Sequence, residues 1–235
     1  MRLLLTLILL PGTAFAQELP ALDGLASGVG QNAVLLVAGL TLLSLVPAIA
    51  VTVTCFPFIV TVLSILRQSL GLQQSPPNML IIALSLFLTW FVMDPVLTEA
   101  WTQAGAPLSR GEIALPEAFE RGIVPFRAFM EARTSPDTLA GLQEVTRRPP
   151  AETPALSVLM PAFMLSEITR AFEIGFLVAL PFLIIDLVVS AVLMSMGMMM
   201  VPPAIVSLPF KLAFFVVVDG WSLLSEALVR SYQQF

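Results

Sequence analysis

The residues of this sequence that could do chemistry are a few single charges set in long apolar stretches. Asp186 lies in LIIDLV, Glu167 in LSEITR and Lys211 in LPFKLAFF. The sequence has no histidine, and Cys55 is its one cysteine. A histidine-based triad, a histidine-containing metal site and an intramolecular disulfide are therefore excluded. The sequence also has no paired carboxylates, serine–lysine spacing or nucleotide-binding loop, which favours a protein that is not an enzyme and needs no cofactor.

Each of these charges needs a partner, because an unpaired charge in apolar surroundings is strongly destabilising. Glu167 and Arg170 are three residues apart, so a local helical pair is possible. Lys211 has no acid within four residues and must find its partner elsewhere in the fold or in another copy of the chain. For Asp186, in the middle of an apolar helix, three roles stay open: a structural hydrogen bond, a pair between subunits, or proton coupling.

Methionine is concentrated in one short segment, SMGMMMVPPA at 195–204. Gly197 weakens a helix there and Pro202 with Pro203 stops it, so these methionines lie where an apolar helix gives way to a turn. Unbranched thioether side chains adapt to irregular surroundings. They either fill gaps in the turn or form a soft surface that can close against other groups and yield again.

The composition indicates that the chain is surrounded partly by lipid or by the apolar surfaces of other subunits. Of its 235 residues, 57% are hydrophobic and 11% are charged, and the mean hydropathy is +0.94. Soluble domains carry about 25% charged residues. The net charge is -5, and no basic patch is interleaved with aromatic residues. Nucleic acid is therefore not expected as a partner.

The amino terminus has the pattern of a secretory signal peptide. Arg2 precedes an apolar run at 3–10, and Ala14-Phe15-Ala16 supplies the small residues that a signal peptidase requires. The apolar run is too short to span a membrane. We expect residues 1–16 to be removed between Ala16 and Gln17, and residues 17–32 to form a polar leader of the mature chain.

Hydropathy divides the rest of the chain into two apolar sections around a polar one. Residues 33–97 and 154–235 each predict a hairpin of long apolar helices broken by prolines, the second with the methionine-rich turn at its tip. In the second hairpin we expect an amphipathic helix from about 156, an apolar helix over 174–200, and another from about 204 to 228.

The polar section, 98–153, holds six arginines and eight acids and predicts short amphipathic helices in an aqueous compartment. With so few large apolar side chains, it is not expected to form a domain of its own. The predicted fold is therefore all-α and membrane-associated, with two broken apolar hairpins around an amphipathic insert.

Four motifs, taken in order, carry a resemblance to a known family. They are QQSPPN (73–78), LMPAF (159–163), PFLIIDLVVSAVLMSMGMMMVPP (181–203) and SLPFKLAFFVVVDGW (207–221). Together they resemble the FliP family, the flagellar member of the type III secretion export gate, whose counterparts serve injectisomes. The resemblance covers most of residues 54–224. The cleavable leader is more similar to the flagellar member than to the injectisome one.

The resemblance implies a place in a larger assembly. Family members form a ring with related membrane subunits (FliQ-like, FliR-like and FlhB-like), in the inner membrane at the flagellar basal body. The ring rises toward the periplasmic side as a helical cone, and unfolded flagellar proteins pass through it. Apolar helices of such a chain are covered by neighbouring copies as well as by membrane lipid.

The resemblance also implies roles for particular residues. The methionine loop of the family is thought to seal the pore, which assigns Met198, Met199 and Met200 to the seal, with Met196 as a weaker candidate. Charged contacts between protomers would involve Glu167 and Lys211, with an arginine partner at Arg127 or Arg133. On this basis alanine at Glu167 or Lys211 is expected to weaken assembly more than folding.

Three functions other than that of a flagellar export-gate subunit are less well supported by the sequence. An injectisome export-gate subunit is one alternative, but the cleavable leader suits the flagellar member of the family better. A transporter of small solutes or ions would need polar residues at a site in the middle of the membrane, and Asp186 alone is weak support for one. For an intramembrane enzyme, the sequence lacks the catalytic residue patterns named above, paired carboxylates and serine–lysine spacing.

Overall fold

The computed structural model describes residues 51–71, 76–146, 153–198 and 200–233, together with a few positions between 37 and 49. The chain divides into two units, Met1–Pro47 and Ala48–Phe235, and the architecture below is that of the second. Across the described ranges the regular secondary structure is helical, without a strand. The expected cleavage site at Ala16 and Gln17, the polar leader and Met199 lie outside the described residues.

Among the described residues of the second unit, eight α-helices have both ends described. Their bounds are α1 Phe56–Ser69, α2 Asn78–Ala100, α3 Ala106–Ser109, α4 Leu115–Arg133, α5 Pro136–Thr146, α6 Leu156–Ser195, α7 Pro203–Val217 and α8 Gly220–Gln233. A π-helical turn, Trp101–Gly105, joins α2 to α3. The all-α fold with long apolar helices that the sequence predicts is therefore confirmed.

Helix α6 differs from the expectation, because the amphipathic segment and the apolar segment form one continuous helix of 40 residues. Pro161 and Pro181 lie inside it. An interior proline removes one backbone hydrogen bond, but apolar helices tolerate this where neighbouring helices pack around the proline. Phe182 and Ala179, beside Pro181, are both buried. The expected break near residue 174 is therefore wrong.

The segment from 204 to 228 differs in the opposite sense, because it is two helices rather than one. Helices α7 and α8 meet at an angle of 61°. The turn between them places Asp219 in the left-handed region, with φ 47°, which Asp adopts more readily than most residues. At Gly220 a Cβ would lie 2.1 Å from Phe215 Cε2, so the Phe215 ring fills the inside of the bend.

Helix α1 lies at the centre of the main core. Its apolar residues recur at helical spacing and are almost fully buried: Phe58, Ile59, Val62, Leu63 and Leu66. They pack against α2 and α6. Cys55, at the start of α1, belongs to the same core. Burial raises the pKa of its thiol to about 12, so Cys55 is a neutral, apolar packing residue at physiological pH.

Gly175 allows α6 to approach α1 closely. A Cβ at this position would lie 2.4 Å from Ile65 Cδ1 and 3.3 Å from Ile65 Cβ. We expect Gly175→Ala to lower the free energy of unfolding by about 1–3 kcal/mol through overpacking.

The matched control is Gly141→Ala in α5, where a Cβ would meet nothing within 4 Å. Because alanine has a higher helix propensity than glycine, the free energy of unfolding of this variant should rise by up to about 1 kcal/mol. Thermal unfolding of both variants in detergent measures the difference. Two variants of equal stability would contradict the close approach of α1 and α6.

The polar insert packs on the apolar helices and shares their cores. Met130 of α4 is buried with Leu159 and Phe163 of α6 in a second apolar cluster. Phe126 and Phe129 contact the main core from the same helix. The long α2 also extends beyond the expected start of the insert at 98 and continues, through the π-helical turn, to Ser109.

Two of the helical stretches are long and apolar enough to cross a membrane. They are Asn78–Ser109 and Leu156–Ser195, whose most apolar windows have mean hydropathies of 2.1 and 2.7. The bent pair α7 and α8 could form a third span, whereas α1, with 14 residues, is short. These counts cover the described residues. Only 22% and 17% of the two windows is buried within the chain, so most of both surfaces is available to lipid or other subunits.

Candidate functional site

Glu167 of α6 is the centre of a buried charge cluster. Its side chain is fully buried, and that of Arg133, at the end of α4, is 3% exposed. Arg133 Nε donates to Glu167 Oε1 at 3.1 Å, and Arg170 Nη1 approaches the same oxygen at 3.3 Å. The Tyr232 hydroxyl of α8 donates to Oε2. Both carboxylate oxygens are thus hydrogen-bonded, which a buried charge requires.

Tyr232 gives this Glu167 cluster an aromatic wall. The Arg133 guanidinium carbon lies 4.0 Å from the centroid of the Tyr232 ring, a cation–π contact. Phe58 packs edge-on against the ring at 5.4 Å, and Phe129 stacks on it at 6.1 Å. Arg133 Nη1 also donates to the Ser231 carbonyl oxygen at 3.1 Å. The cluster therefore fastens the last turn of α8 to α4 and α6.

Arg127, the other arginine considered for this role, lies elsewhere. Its Nη1 donates to the Pro154 carbonyl oxygen at 2.7 Å and lies 3.7 Å from Glu131 Oε1. Of the two arginines, Arg133 is the one that the structure brings to Glu167. Arg127 instead ties α4 to the chain just before α6.

Lys211 and Asp186 form the second charge cluster, between α7 and the middle of α6. Lys211 Nζ lies 2.6 Å from Asp186 Oδ2 and donates to the Ser69 carbonyl oxygen at 2.9 Å. The Ser207 hydroxyl donates to Asp186 Oδ1 at 2.6 Å. Because Ser69 is the last residue of α1, the ammonium group also neutralises the negative end of that helix.

The partner that Lys211 needs is therefore present in its own chain. The hydrogen bond from Ser207 to Asp186 matches the structural role, which is one of the three roles considered for Asp186. The exposure of the two side chains differs, at 6% for Lys211 and 36% for Asp186. Contacts of Glu167, Lys211, Arg127 or Arg133 with another subunit stay a prediction.

The methionine-rich turn follows the last residue of α6, Ser195. Gly197 has φ 76°, and the Met198 amide donates to the Leu193 carbonyl oxygen at 3.0 Å, so the backbone closes the helix in a defined way. Most of the thioether side chains point outward: Met196 is 65% exposed, Met198 39% and Met200 95%. Met196 and Met198 also line an apolar groove of about 580 Å³ between α6 and α7.

Sequence reasoning missed Tyr232 and Ser207. Tyr232 is 65 residues from Glu167, and no periodicity or motif in the sequence connects the two. Ser207 lies one helical turn before Lys211, so the two polar groups share a face of α7, and that spacing was the available signal. Among the described residues, no group of three or more Cys, Asp or Glu side chains is arranged to hold a metal ion.

Comparison with known proteins identifies the family. The model of the FliP family matches residues 39–228. The flagellar biosynthetic protein FliP of Caulobacter vibrioides is 48% identical over 231 residues, which cover 96% of this chain and 86% of that protein. The proteins of the same name from Aquifex aeolicus and Bacillus subtilis are 44% and 45% identical, over 99% and 82% of this chain and 100% and 89% of their own lengths. This chain therefore belongs to the FliP family.

Proposed function

We propose that this chain is a subunit of the flagellar type III protein export gate. With other copies of itself and with FliQ-like, FliR-like and FlhB-like subunits, it forms the pore through which unfolded flagellar proteins cross the bacterial inner membrane. The observation that carries the proposal is end-to-end similarity to flagellar biosynthetic proteins, at 44% identity over the full length of the Aquifex aeolicus protein. A place at the periplasmic side of the membrane is part of the same proposal.

Removing the gene from its host tests this function. Because the chain forms part of the export path, we expect the deletion to abolish secretion of flagellar filament protein into the medium while signal-peptide-dependent secretion continues. Immunoblots of culture supernatants measure both. Expression of the wild-type chain from a plasmid is the control. Normal filament secretion in the deletion strain would contradict the export role.

The structure supports a sealing role for the methionine-rich turn through its combination of a fixed backbone and soft side chains. The turn is closed by the Met198–Leu193 hydrogen bond, whereas Met196 and Met200 extend into the surroundings of the chain. Long unbranched thioethers can press against copies of themselves and part again without a change of backbone. A ring of such turns would close a pore to water and ions and admit a polypeptide of any sequence.

Replacing Met198, Met199 and Met200 together with alanine tests the seal. We expect the assembly to form, because the Met198 and Met200 side chains are exposed, and the ion leak to rise at least tenfold as the short side chains leave the pore open. Conductance of the purified complex in planar bilayers measures the leak. Leucine at the same three positions should keep the seal but slow secretion, because branched side chains yield less readily.

The control is Met79→Ala, which removes an exposed methionine from the start of α2, where the side chain is 80% exposed. This variant should leak no more than wild type. If the triple-alanine variant assembles and its complex conducts ions like wild type, the sealing role is rejected. The methionines would then only fill gaps within the turn.

A further inference from the structure

A surface between α2 and α8 has charges that neither charge cluster uses. One cavity of about 470 Å³ is lined by Trp90, Phe91, Asp94 and Tyr232. A second, of about 520 Å³, shares Phe91 and Val229 with it and adds Glu226 and Arg230. Both volumes are typical of small-ligand pockets. Because the cavities share Phe91 and Val229, they form one surface, with the Asp94 carboxylate in the first and the Arg230–Glu226 ion pair in the second. We call it the Asp94–Arg230 surface.

The carboxylate end of this surface suits a cation. Asp94 is exposed, and within the described part of the chain its side chain has no hydrogen-bond or ion-pair partner. Trp90 and Phe91 beside it are 67% and 63% exposed. Aromatic faces next to a carboxylate attract ammonium groups through both cation–π and ionic contacts.

The guanidinium end suits an anion, above all a phosphate. Arg230 Nη2 donates to Glu226 Oε2 at 3.0 Å, and the Arg230 side chain is 73% exposed. A guanidinium has five N–H donors, so one bond to Glu226 leaves others to face outward. The guanidinium fork matches the geometry of a phosphate as well as that of a carboxylate. The ligand of the whole surface should therefore carry a cation and a phosphate together.

The position of Asp94 along α2 indicates whether such a ligand is free in solution or part of the membrane. Asp94 is the first charged residue of α2, after an uncharged run from 78 to 93. Trp90 lies one helical turn before it, and exposed tryptophans concentrate at the level of lipid headgroups. Phe87, one turn earlier, is 75% exposed and continues the apolar face toward the start of the helix. The surface thus lies at the boundary between the apolar part of the helix and its charged part.

We propose that the Asp94–Arg230 surface binds the headgroup of a phospholipid with a primary ammonium, phosphatidylethanolamine. The ammonium lies against Asp94 and Trp90, the phosphate accepts from Arg230, and the acyl chains follow the exposed face of α2 at Phe87. A basic side chain of a protein partner would contact Asp94 but would leave the outward donors of Arg230 unused, which is why the lipid is favoured. This inference rests on the membrane location of the chain and not on its role in export.

Lipid titration of the full-length chain in detergent tests the proposal. Native mass spectrometry would compare phosphatidylethanolamine with phosphatidylglycerol of the same acyl chains. We expect wild type to prefer phosphatidylethanolamine about fivefold, since one exposed ionic contact is worth roughly that factor. Asp94→Asn should remove the preference and leave phosphatidylglycerol binding unchanged. Arg230→Gln should weaken both lipids, because both carry the phosphate.

Asp219→Asn is the matched control, because Asp219 is also an exposed acid of an apolar helical segment but lies in neither cavity. Asn tolerates its left-handed backbone conformation. Equal binding of the two lipids by wild type, or an unchanged preference in Asp94→Asn, would overturn the proposal. A photoreactive amino acid at residue 90 in the membrane-bound complex provides the second readout. A lipid adduct supports the site, and an adduct to a polypeptide overturns it in favour of a protein partner.

Discussion

Glu167→Ala is expected to destabilise the chain by about 3–5 kcal/mol, because it leaves the Arg133 guanidinium buried without its carboxylate. Arg133 is 3% exposed and Glu167 is fully buried, so water does not replace the lost partner. The Tyr232 hydroxyl loses its acceptor at the same time. For a chain of this size the apparent melting temperature should fall by roughly 6–20 °C. Thermal unfolding of the purified chain in detergent measures the change.

The matched control for Glu167→Ala is Glu226→Ala. Glu226 also pairs with an arginine, Arg230, at 3.0 Å, but both side chains are mostly exposed. An exposed pair of this kind contributes only about 0.3–0.5 kcal/mol. If the two variants melted at the same temperature, the buried cluster would not contribute to stability as argued.

The Glu167 cluster also changes the expectation about assembly. The sequence alone predicts that alanine at Glu167 weakens assembly more than folding. With Arg133, Arg170 and Tyr232 of the same chain around the carboxylate, we now expect the single chain to be destabilised first. Native gels combined with melting curves distinguish the two. A variant chain that melts normally but no longer enters the large complex would show that contacts between subunits dominate.

Asp186→Ala is expected to lower the free energy of unfolding by about 1–2 kcal/mol more than Lys211→Ala does, because the two partners differ in exposure. Lys211 is 6% exposed and Asp186 36%. Loss of the acid leaves a buried ammonium group, whereas loss of the lysine leaves a carboxylate that water can reach. Lys211→Ala still removes the bond to the Ser69 carbonyl oxygen at the end of α1. Urea unfolding of the two variants measures the difference.

The double variant Asp186→Asn with Lys211→Met completes this test. It keeps the approximate volume of both side chains and removes both charges, and replacing a buried pair by neutral groups is often close to neutral in stability. It should therefore be more stable than Asp186→Ala. A double variant that is less stable than either single variant would mean that the charges themselves, rather than their mutual compensation, hold α6, α7 and α1 together.

Much of the fold could be predicted from the sequence because apolar content and proline position are local signals. The turn before Asn78, the end of α6 near the methionines and the start of α7 after Pro202 all follow from residues within a few positions. The burial pattern of α1, at Phe58, Ile59 and Val62, follows from helical spacing. These features need no knowledge of the tertiary structure.

The features that could not be predicted depend on contacts that are distant in sequence. Whether Pro181 breaks α6 depends on the packing of its neighbours, and here the helix continues through it. The bend at Asp219 depends on the Phe215 ring beside Gly220. The choice of Arg133 over Arg127, and the hydroxyl of Tyr232 as a third partner, depend on how α4 and α8 pack on α6. Local patterns contain no information on any of these.

The unbroken length of α6 has a mechanical consequence. Helix α6 acts as one rod. Glu167 lies near its amino-terminal end, here called the base, and its other end, the tip, is Ser195, directly before the methionine-rich turn. The distance between these two points is about 42 Å at 1.5 Å per residue. A tilt of about 5° at the base would therefore displace the tip by about 4 Å. Pro181 lies within this length and removes one backbone hydrogen bond, but Ala179 and Phe182 beside it are buried, so packing supports the helix there. Force applied to the insert or to the end of α8 would thus reach the methionines as a sideways movement of a lever.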